Sequence, residues 1–240
     1  MNTTAKEHIF LSKAELAGLI DHTLLKPDAT PGDILELCSQ AISFGFKAVC
    51  VNPCYTTLVS RELSGSAVRV CTVVGFPLGA SDPALKAVEA GAAVQDGASE
   101  IDVVMNLGFF KGGLLSQVQE DLVAVVKAAR SENPQVVVKV ILETCLLNDQ
   151  EKIVACRLAV EAGADFVKTS TGFGKGGATI QDVALLRGEV GPSFGVKAAG
   201  GIRNLQTVLD IIKAGANRLG TSSGVSILLE HSNLIETQPG

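Results

Sequence analysis

Four short segments of the sequence place chemically reactive side chains at one repeated position. Each segment begins with a glycine at the end of an amphipathic helix pattern, and the fifth residue after that glycine is Cys50, Asp102, Lys168 or Gly220. Side chains alternate with a period of two along a strand, so these four positions point to the same side of their strands. In a closed parallel barrel that side is the interior. We therefore predict that a thiol, a carboxylate and an amine share one active site.

Three lysines interrupt stretches that otherwise predict buried strands. They are Lys139, Lys168 and Lys197, each surrounded by apolar or small residues. A buried charge is costly unless it is paired or neutralised, and structural salt bridges would explain any one of these lysines taken alone. The presence of Asp102 and Glu143 on other predicted strands favours a catalytic arrangement.

A buried lysine beside another cation suits nucleophilic catalysis. A free amine forms a Schiff base with a carbonyl substrate, and a neighbouring positive charge or a dry pocket lowers the amine pKa enough to make it available. Two unit charges about 6 Å apart, at an effective dielectric constant of about 20, repel by about 2.8 kcal/mol, or about two pKa units. Desolvation acts in the same direction.

Glycine and hydroxyl residues cluster after the last three predicted strands, in residues 169–177, 200–203 and 220–224. Barrels commonly hold a phosphate on backbone N–H groups of the loops after strands 7 and 8. Ser222 and Ser223 could instead cap the last helix, and glycines in tight turns need no ligand. Because three such loops converge at one end of a barrel, we favour a phosphate site.

The spacing of the glycines predicts the strands and helices that carry these residues. Gly45, Gly97, Gly163 and Gly215 are separated by 52, 66 and 52 residues, and each interval accommodates two strand–helix units of about 30 residues. The sequence therefore predicts a single (β/α)8 barrel, or TIM barrel. The predicted strands are residues 21–24, 48–51, 68–74, 101–105, 136–142, 166–169, 195–198 and 218–220, and the clearest helices are 32–44, 114–130 and 148–162.

The ends of the chain add to this barrel. Ser12 and Glu15 form a capping-box pattern that predicts an extra N-terminal helix within residues 1–20. Residues 231–240 are expected to form a C-terminal tail. No linker or low-complexity stretch divides the 240 residues, so we predict one domain spanning residues 1–240.

Composition narrows the class of partner. The net charge is −5 and there is no basic stripe, which argues against nucleic acid and anionic membranes. No apolar run approaches a membrane span, and the N-terminus lacks a signal-peptide pattern, so we expect a cytoplasmic protein. The six cysteines should be free thiols there. Neither they nor the three histidines show metal-ligand spacing, so we predict no metal and no cofactor.

Several motifs together resemble one enzyme family. They are Asp21-His-Thr-Leu-Leu25, Glu100-Ile-Asp-Val-Val-Met-Asn106, Phe166-Val-Lys-Thr-Ser-Thr-Gly172 and Val196-Lys-Ala-Ala-Gly-Gly-Ile-Arg203. In this order the chain resembles the deoxyribose-phosphate aldolases, a family of class I aldolases. The resemblance runs from about residue 19 to residue 229. It is specific because it does not depend on a single loop.

The resemblance implies roles for individual residues. Lys168 would form the Schiff base, while Asp102 and Lys197 would handle protons and perturb the pKa of that lysine. The supporting residues implied are Cys50, Lys139, Asp21 and Thr23. The residues implied to hold the phosphate are Thr171, Gly172, Gly200, Gly201, Arg203, Gly220, Ser222 and Ser223.

The sequence departs from the family pattern at two places. A lysine that follows the Thr-Gly pair in some members is Phe173 here, and Lys175 lies two residues further on. Which cation meets the phosphate is therefore open. The C-terminal tyrosine of some members is absent from Glu236-Thr-Gln-Pro-Gly240, so a contribution of the tail to proton transfer is open as well.

The expected reaction is the reversible cleavage of 2-deoxy-D-ribose 5-phosphate to D-glyceraldehyde 3-phosphate and acetaldehyde, with small phosphosugars and aldehydes as partners. We expect a homo-oligomer, either a dimer or a tetramer. Two alternatives remain: another Schiff-base barrel of the transaldolase type acting on a different phosphosugar, and a phosphosugar-binding barrel without catalysis.

Overall fold

Eight parallel strands close into a barrel in the computed structural model, which describes residues 11–236. Each strand pairs with its neighbours in chain order, and the last pairs with the first. The prediction of a (β/α)8 barrel is confirmed. The strands are Ile20–Leu24 (β1), Ala48–Val51 (β2), Arg69–Val74 (β3), Glu100–Val104 (β4), Val137–Ile141 (β5), Phe166–Lys168 (β6), Gly195–Ala199 (β7) and Arg218–Thr221 (β8).

Helices connect these strands, and short 3₁₀ turns follow β2 and β5. The three clearest predicted helices agree with the structure to within two residues at each end. The helices of the described residues are Lys13–Ala17 (α1), Pro31–Phe44 (α2), Thr56–Glu62 (α3), Pro83–Gln95 (α4), Leu107–Lys111 (α5), Leu115–Glu132 (α6), Asp149–Glu161 (α7), Ile180–Val190 (α8), Leu205–Lys213 (α9) and Gly224–Glu236 (α10).

The ends of the chain agree in part with the prediction. The capping box of Ser12 and Glu15 is present, but the α1 helix that it opens has only five residues. α10 continues to Glu236, so the segment predicted as a tail from residue 231 begins as helix. Residues 1–10 and 237–240 lie outside the described residues, and the single-domain organisation stays a prediction.

The four helix-ending glycines adopt the backbone conformation that sets the strand register. Gly45, Gly97, Gly163 and Gly215 all have positive φ, between 69° and 114°. Residues with a side chain adopt this region at a cost, whereas glycine does not. The four units therefore leave their helices in the same way, which places the fifth residue of each at the same height in the barrel.

Strand pairing arranges the inward-facing residues in layers of four from alternate strands, as expected for this fold. One layer comes from the odd-numbered strands and lies between two layers from the even-numbered strands. On β5, Lys139 pairs with Asp102 and Phe166. On β7, Lys197 pairs with Lys168 and Arg218. The lowest layer is Ala48, Glu100, Phe166 and Arg218, the middle layer is Asp21, Cys71, Lys139 and Lys197, and the upper layer is Cys50, Asp102, Lys168 and Gly220.

The main apolar core lies between the strands and the surrounding helices rather than inside the barrel. It includes Val49, Val138 and Val196 on strands, packed with helical residues such as Ile34 and Leu122. Inside the barrel, a small apolar cluster occupies the side formed by β2 and β3 and consists of Leu25, Ala48, Cys50, Cys71 and Val73. The other side of the interior is charged. Among residues 11–236, the helices are too short or too polar for any of them to cross a membrane.

Candidate active site

Seven charged side chains fill the remaining interior of the barrel, and none is more than 6% exposed. We call them the interior charge cluster. All three layers contribute, because inward positions recur at every second residue of a strand. The members are Asp21, Glu100, Asp102, Lys139, Lys168, Lys197 and Arg218.

Asp102 is the centre of this cluster, since its two oxygens bind three ammonium groups. Lys168 Nζ and Lys197 Nζ both lie 2.7 Å from Oδ2, and Lys139 Nζ lies 2.8 Å from Oδ1. The thiol of Cys71 donates to the same Oδ1 at 3.3 Å. Burial favours the protonated acid, but the charges of Lys139, Lys168 and Lys197 outweigh it and hold the pKa of Asp102 well below its usual range.

The lower part of the cluster fixes Lys197 in its charged form. Asp21 accepts from Lys197 Nζ and, at 2.8 Å, from Arg218 Nη1. Burial alone would lower the pKa of Lys197, but the carboxylates of Asp102 and Asp21 raise it above its ordinary value. The same balance raises the pKa of Arg218, where Asp21 and Glu100 overcome burial. Lys197 and Arg218 are therefore permanent cations at neutral pH.

Lys139 lies among side chains whose spacing could hold a metal ion. Carboxylate and thiol groups of Asp21, Cys71 and Glu100 converge to within 4.8 Å of one another, a spacing that could hold a metal. The ammonium of Lys139 already contacts all three, at 2.7 Å from Glu100, 3.4 Å from the Cys71 sulfur and 3.8 Å from Asp21 Oδ2. These donors surround an ammonium charge, and the metal-free mechanism stays a prediction.

The cluster contains one more cation than carboxylates when every group is charged. Excess charge in a nearly dry interior is unfavourable, so the loss of one proton would balance the cluster. Lys168 is the member that lines an open cavity, while Lys139 and Lys197 are fully buried. Its amine therefore combines access to a ligand with a direct contact to Asp102.

The cavity lies at the carboxyl ends of β1, β6, β7 and β8 and has a volume of about 290 Å³. That volume is at the lower end of the range for small-molecule sites, about 300–1,000 Å³. Of the predicted site residues, those in its wall are Thr23, Lys168, Thr171, Gly172, Gly200, Gly201, Arg203, Gly220 and Ser222. Ser223 is not in the wall, and its N–H donates to the Thr221 hydroxyl at 2.9 Å.

Two exposed cations line this cavity in addition to Lys168. They are Lys26, from the loop after β1, and Arg203, from the loop after β7. Phe173 is also in the wall, whereas Lys175 is not. The loops after the last strands thus combine glycine N–H groups with positive charge, which is the combination that binds phosphate. The structure points to Lys26 and Arg203 as the cations of this region.

The absence of a side chain at Gly220 leaves space for the side chains of Lys197 and Ala199. A Cβ at this position would lie 3.1 Å from the Lys197 Cε atom and 3.1 Å from the Ala199 Cβ atom. Because that spacing is too tight for ordinary contact, the glycine keeps the Lys197 side chain and the cavity wall undisturbed. Gly220 thus provides space at the repeated position, where Cys50, Asp102 and Lys168 provide functional groups.

The loops after β6 and β7 touch through their main chains. A Cβ on Gly177 would lie 2.2 Å from the carbonyl oxygen of Gly200, so a side chain there is impossible without moving one loop. The next amide, Ala178 N–H, donates to the carbonyls of Ala199 at 3.1 Å and Gly200 at 3.0 Å. These two sides of the cavity are held together directly.

The chain that places a cavity-lining lysine beside a buried carboxylate is similar to known aldolases. A model of the DeoC/LacD aldolase family matches residues 16–231, nearly the whole chain. The chain belongs to the DeoC/LacD family of aldolases. It is an aldolase, a carbon–carbon lyase, and the prediction of an aldolase is confirmed.

Relatives of this aldolase are similar over most of their length. The deoxyribose-phosphate aldolase of Carboxydothermus hydrogenoformans is 57% identical over 218 residues, covering 91% of this chain and 96% of that protein. The one from Caldanaerobacter subterraneus subsp. tengcongensis is 54% identical over 219 residues, covering 91% and 94%. The solved deoxyribose phosphate aldolase of Aeropyrum pernix has 38% identity and a TM-score of 0.86, covering 93% of each chain.

Cys50 and its neighbour lie beside the charge cluster in this aldolase. Cys50 pairs in register with Cys71 across β2 and β3, and both are fully buried. The interaction with Cys71 lowers the pKa of the Cys50 thiol, whereas burial and the same interaction raise the pKa of Cys71 well above its usual value. Thr23 donates its hydroxyl to the Asp21 carbonyl and faces the cavity.

Glu143 is not a member of the charge cluster, contrary to the grouping with Asp102 expected from the sequence. It lies beyond the last residue of β5, in a left-handed conformation with φ 53° and ψ 62°. Its carboxylate instead accepts hydrogen bonds from Thr171 on the loop after β6. A non-glycine residue in this conformation is unusual and cannot be read from residue type.

Sequence reasoning missed Glu100, Arg218 and Cys71, which complete the interior of the barrel. The spacing could have indicated Glu100 and Arg218. Glu100 lies two residues before Asp102 and Arg218 two residues before Gly220, so their side chains face the barrel interior as well. Cys71 lies on β3, whose preceding segment lacks the repeated glycine pattern, so spacing did not mark it. Lys26 was missed because its position depends on the path of a loop.

Proposed function

We propose that this aldolase reversibly cleaves 2-deoxy-D-ribose 5-phosphate to D-glyceraldehyde 3-phosphate and acetaldehyde through a Schiff base on Lys168. The observation that carries the proposal is the amine of Lys168, which faces a cavity while bonded to the same Asp102 oxygen as Lys197. The names of relatives at 54–57% identity support the substrate.

Lys168 acts as the nucleophile because it is the accessible cation of a cluster with one positive charge in excess. Loss of its proton gives the free amine that attacks a carbonyl. Lys197 stays charged between Asp21 and Asp102, and it binds the same Asp102 oxygen as Lys168. Lys139 holds Asp102 and Glu100 in place from the other side.

In the synthetic direction, Lys168 condenses with acetaldehyde and water leaves to give a protonated imine. Asp102, through a water, removes a proton from the adjacent carbon, and the electron pair moves into the imine to form an enamine. The enamine carbon then attacks the aldehyde of D-glyceraldehyde 3-phosphate, and the alkoxide that forms takes up the proton from Asp102 through the water. Hydrolysis of the new imine releases the sugar phosphate and restores the amine of Lys168.

The phosphate occupies the side of the cavity formed by the loops after β6, β7 and β8. Backbone N–H groups at Gly172, Gly201 and Ser222 would bind its oxygens, and Lys26 and Arg203 would balance its charge. Binding energy from this remote group helps to position the carbonyl at Lys168. Ser223 supports this region as the residue just before α10, because its carbonyl accepts from the Ile227 N–H in the first turn of that helix.

The setting of the enzyme is a further part of the proposal. All six cysteines are free, as expected in a reducing compartment, which supports a cytoplasmic protein. The solved A. pernix aldolase has a tetrameric structure, which supports a homo-oligomer here, either a dimer or a tetramer. Small phosphosugars and aldehydes are its proposed partners.

Borohydride reduction in the presence of acetaldehyde tests the central step. One ethyl group should be fixed on Lys168, as located by mass spectrometry of peptides, and 2-deoxyribose 5-phosphate should protect that residue. A label on Lys139 or Lys197 would overturn the assignment. Trapping of a three-carbon ketone donor instead of acetaldehyde would favour a transaldolase-type reaction, and an unlabelled protein would favour a binding function.

Treatment with a chelator tests the mechanism from another side. Activity should survive exhaustive chelation, because the protonated imine on Lys168 is the electron sink. Loss of activity followed by recovery on addition of zinc would indicate a metal-stabilised enolate instead.

A further inference from the structure

Glu143 has an environment that the reaction at Lys168 does not explain. It is 4% exposed, bears a carboxylate, and occupies the left-handed region of the backbone. It is also absent from the cavity wall and from the interior charge cluster. A buried carboxylate in a costly backbone conformation needs a compensating function.

Its carboxylate holds the loop after β6 at the point where that loop enters the cavity wall. Oε2 accepts from the backbone N–H of Thr171 at 3.1 Å and from the Thr171 hydroxyl. That hydroxyl in turn accepts from the Phe173 N–H at 3.1 Å. A chain of hydrogen bonds thus fixes three consecutive residues, all of which line the cavity.

The loop is also shaped around Glu143 and its neighbour Cys145. A Cβ on Gly174 would lie 3.0 Å from Glu143 Oε1, and a Cβ on Gly176 would lie 2.7 Å from the Cys145 Cβ atom. The Cys145 thiol lies 3.7 Å from that same Oε1. A side chain at position 176 would force Cys145 or the loop to move, and one at position 174 would require a small shift of the Glu143 carboxylate, so the close approach is favoured by the glycines.

We propose that Glu143 is a positioning residue that sets the phosphate-binding shape of the cavity by holding Thr171 to Phe173, and thereby determines the preference for phosphorylated substrates. The inference rests on the proposed function. Glu143 is not among the residues that line the cavity, so its carboxylate acts on the wall through Thr171.

Three substitutions of Glu143 distinguish the effect of its carboxylate oxygens from the effect of its backbone conformation. Glu143→Met removes both acceptors at similar length, Glu143→Gln keeps one acceptor oxygen, and Glu143→Gly relieves the backbone conformation while removing the carboxylate. The matched control is Glu151→Met, because Glu151 also accepts a backbone N–H, that of Asn148, but on the outer helix α7.

The preference is measured as the ratio of kcat/KM for 2-deoxyribose 5-phosphate to that for 2-deoxyribose. We expect this ratio to fall about tenfold or more in Glu143→Met and Glu143→Gly, mainly through the KM of the phosphorylated substrate. Glu143→Gln should restore most of it, and Glu151→Met should keep the parent ratio. Equal losses on both substrates, or a parent-like ratio in Glu143→Gly, would overturn the proposal.

Binding of inorganic phosphate gives a readout that needs no catalysis. Calorimetry should show a Kd about tenfold weaker in Glu143→Gly than in the parent, and an unchanged Kd would contradict the proposal. If the parent fails to cleave 2-deoxyribose 5-phosphate, the proposed function fails, and this measurement still decides the role of Glu143. Should Glu143→Met not fold, Thr171→Val, which removes the hydroxyl from the same chain of bonds, provides the second variant.

Discussion

Lys168 and Lys197 are direct partners across β6 and β7, and their amines meet at one oxygen atom. Both nitrogens lie 2.7 Å from Oδ2 of Asp102, so they are separated by no more than twice that distance. Asp21 stabilises the charge of Lys197 from below, whereas Lys168 opens to the cavity. The two lysines therefore differ in their surroundings although they are paired residues on neighbouring strands.

Removal of the Lys197 charge should move the pH dependence of the reaction. In Lys197→Leu the cluster has as many carboxylates as cations, and the positive charge that Lys197 places at Asp102 Oδ2 is removed. We expect the acid limb of the kcat/KM profile to shift upward by about one to two pH units. Lys197→Arg keeps the charge and serves as the control. A large loss at every pH without a shift would show that Lys197 instead donates a proton or binds the substrate.

Acid should destabilise the aldolase through its buried carboxylates. The pKa values of Asp102 and Asp21 are depressed in the folded state, against about 3.9 in the unfolded chain. Their ion pairs therefore stabilise the fold fully above about pH 4, and this contribution is lost as the pH falls below it. Urea unfolding from pH 6 to pH 3 should show a steep loss of the free energy of unfolding.

Asp102→Asn should reduce the change in the free energy of unfolding between pH 6 and pH 3. It should also lower the free energy of unfolding at neutral pH. Breaking a buried ion pair typically costs about 3–5 kcal/mol because the remaining charges lose their partner. Asp28→Asn, at an exposed position, is the control and should keep the parent slope. An Asp102→Asn variant with the parent slope would show that other groups control the acid unfolding.

The cations of the cavity wall should act on phosphate, and Lys175 should not. Arg203→Met and Lys26→Met should each raise the KM for 2-deoxyribose 5-phosphate about tenfold and weaken its dependence on ionic strength. Lys175→Met, on the same loop as Phe173 but outside the wall, is the control. A larger effect from Lys175 than from either wall residue would contradict this assignment.

A methyl group on Gly220 should disturb the active site more than the fold. Gly220→Ala places its Cβ 3.1 Å from Lys197 Cε, so we expect kcat/KM to fall about tenfold and stability to fall by about 1 kcal/mol. Gly188→Ala, within α8 and with open space around it, should leave kcat/KM at the parent value and stabilise the helix. Parent-like kcat/KM in Gly220→Ala would mean that Lys197 can move without cost.

The repeated glycine spacing predicted the barrel because it reports backbone conformation directly. Gly45 and its three equivalents are all left-handed, so the distance from each glycine to the inward slot is the same. Asp102, Lys168 and the strand ends could be predicted for this reason. Glu100 and Arg218 could have been predicted by the same rule, applied two residues earlier.

The rest depended on features that residue types do not encode. Glu143 reaches the loop after β6 only because its own backbone is left-handed, whereas its place after a strand indicated an inward-facing acid. Lys26 enters the cavity wall and Lys175 stays outside it because of loop paths, which tertiary packing decides. Ser223 lies one residue past the wall, a difference too small for a motif to predict.

The contact between Gly177 and Gly200 has a consequence for engineering this enzyme. Because the main chains of the two loops leave no gap for even a methyl group, a change in the length or path of one loop must be accommodated by the other. Grafting the loop after β6 from a relative with different substrate scope should therefore succeed only when the loop after β7 is transplanted with it. The two segments form one exchangeable module, although α8 and β7 lie between them in the chain.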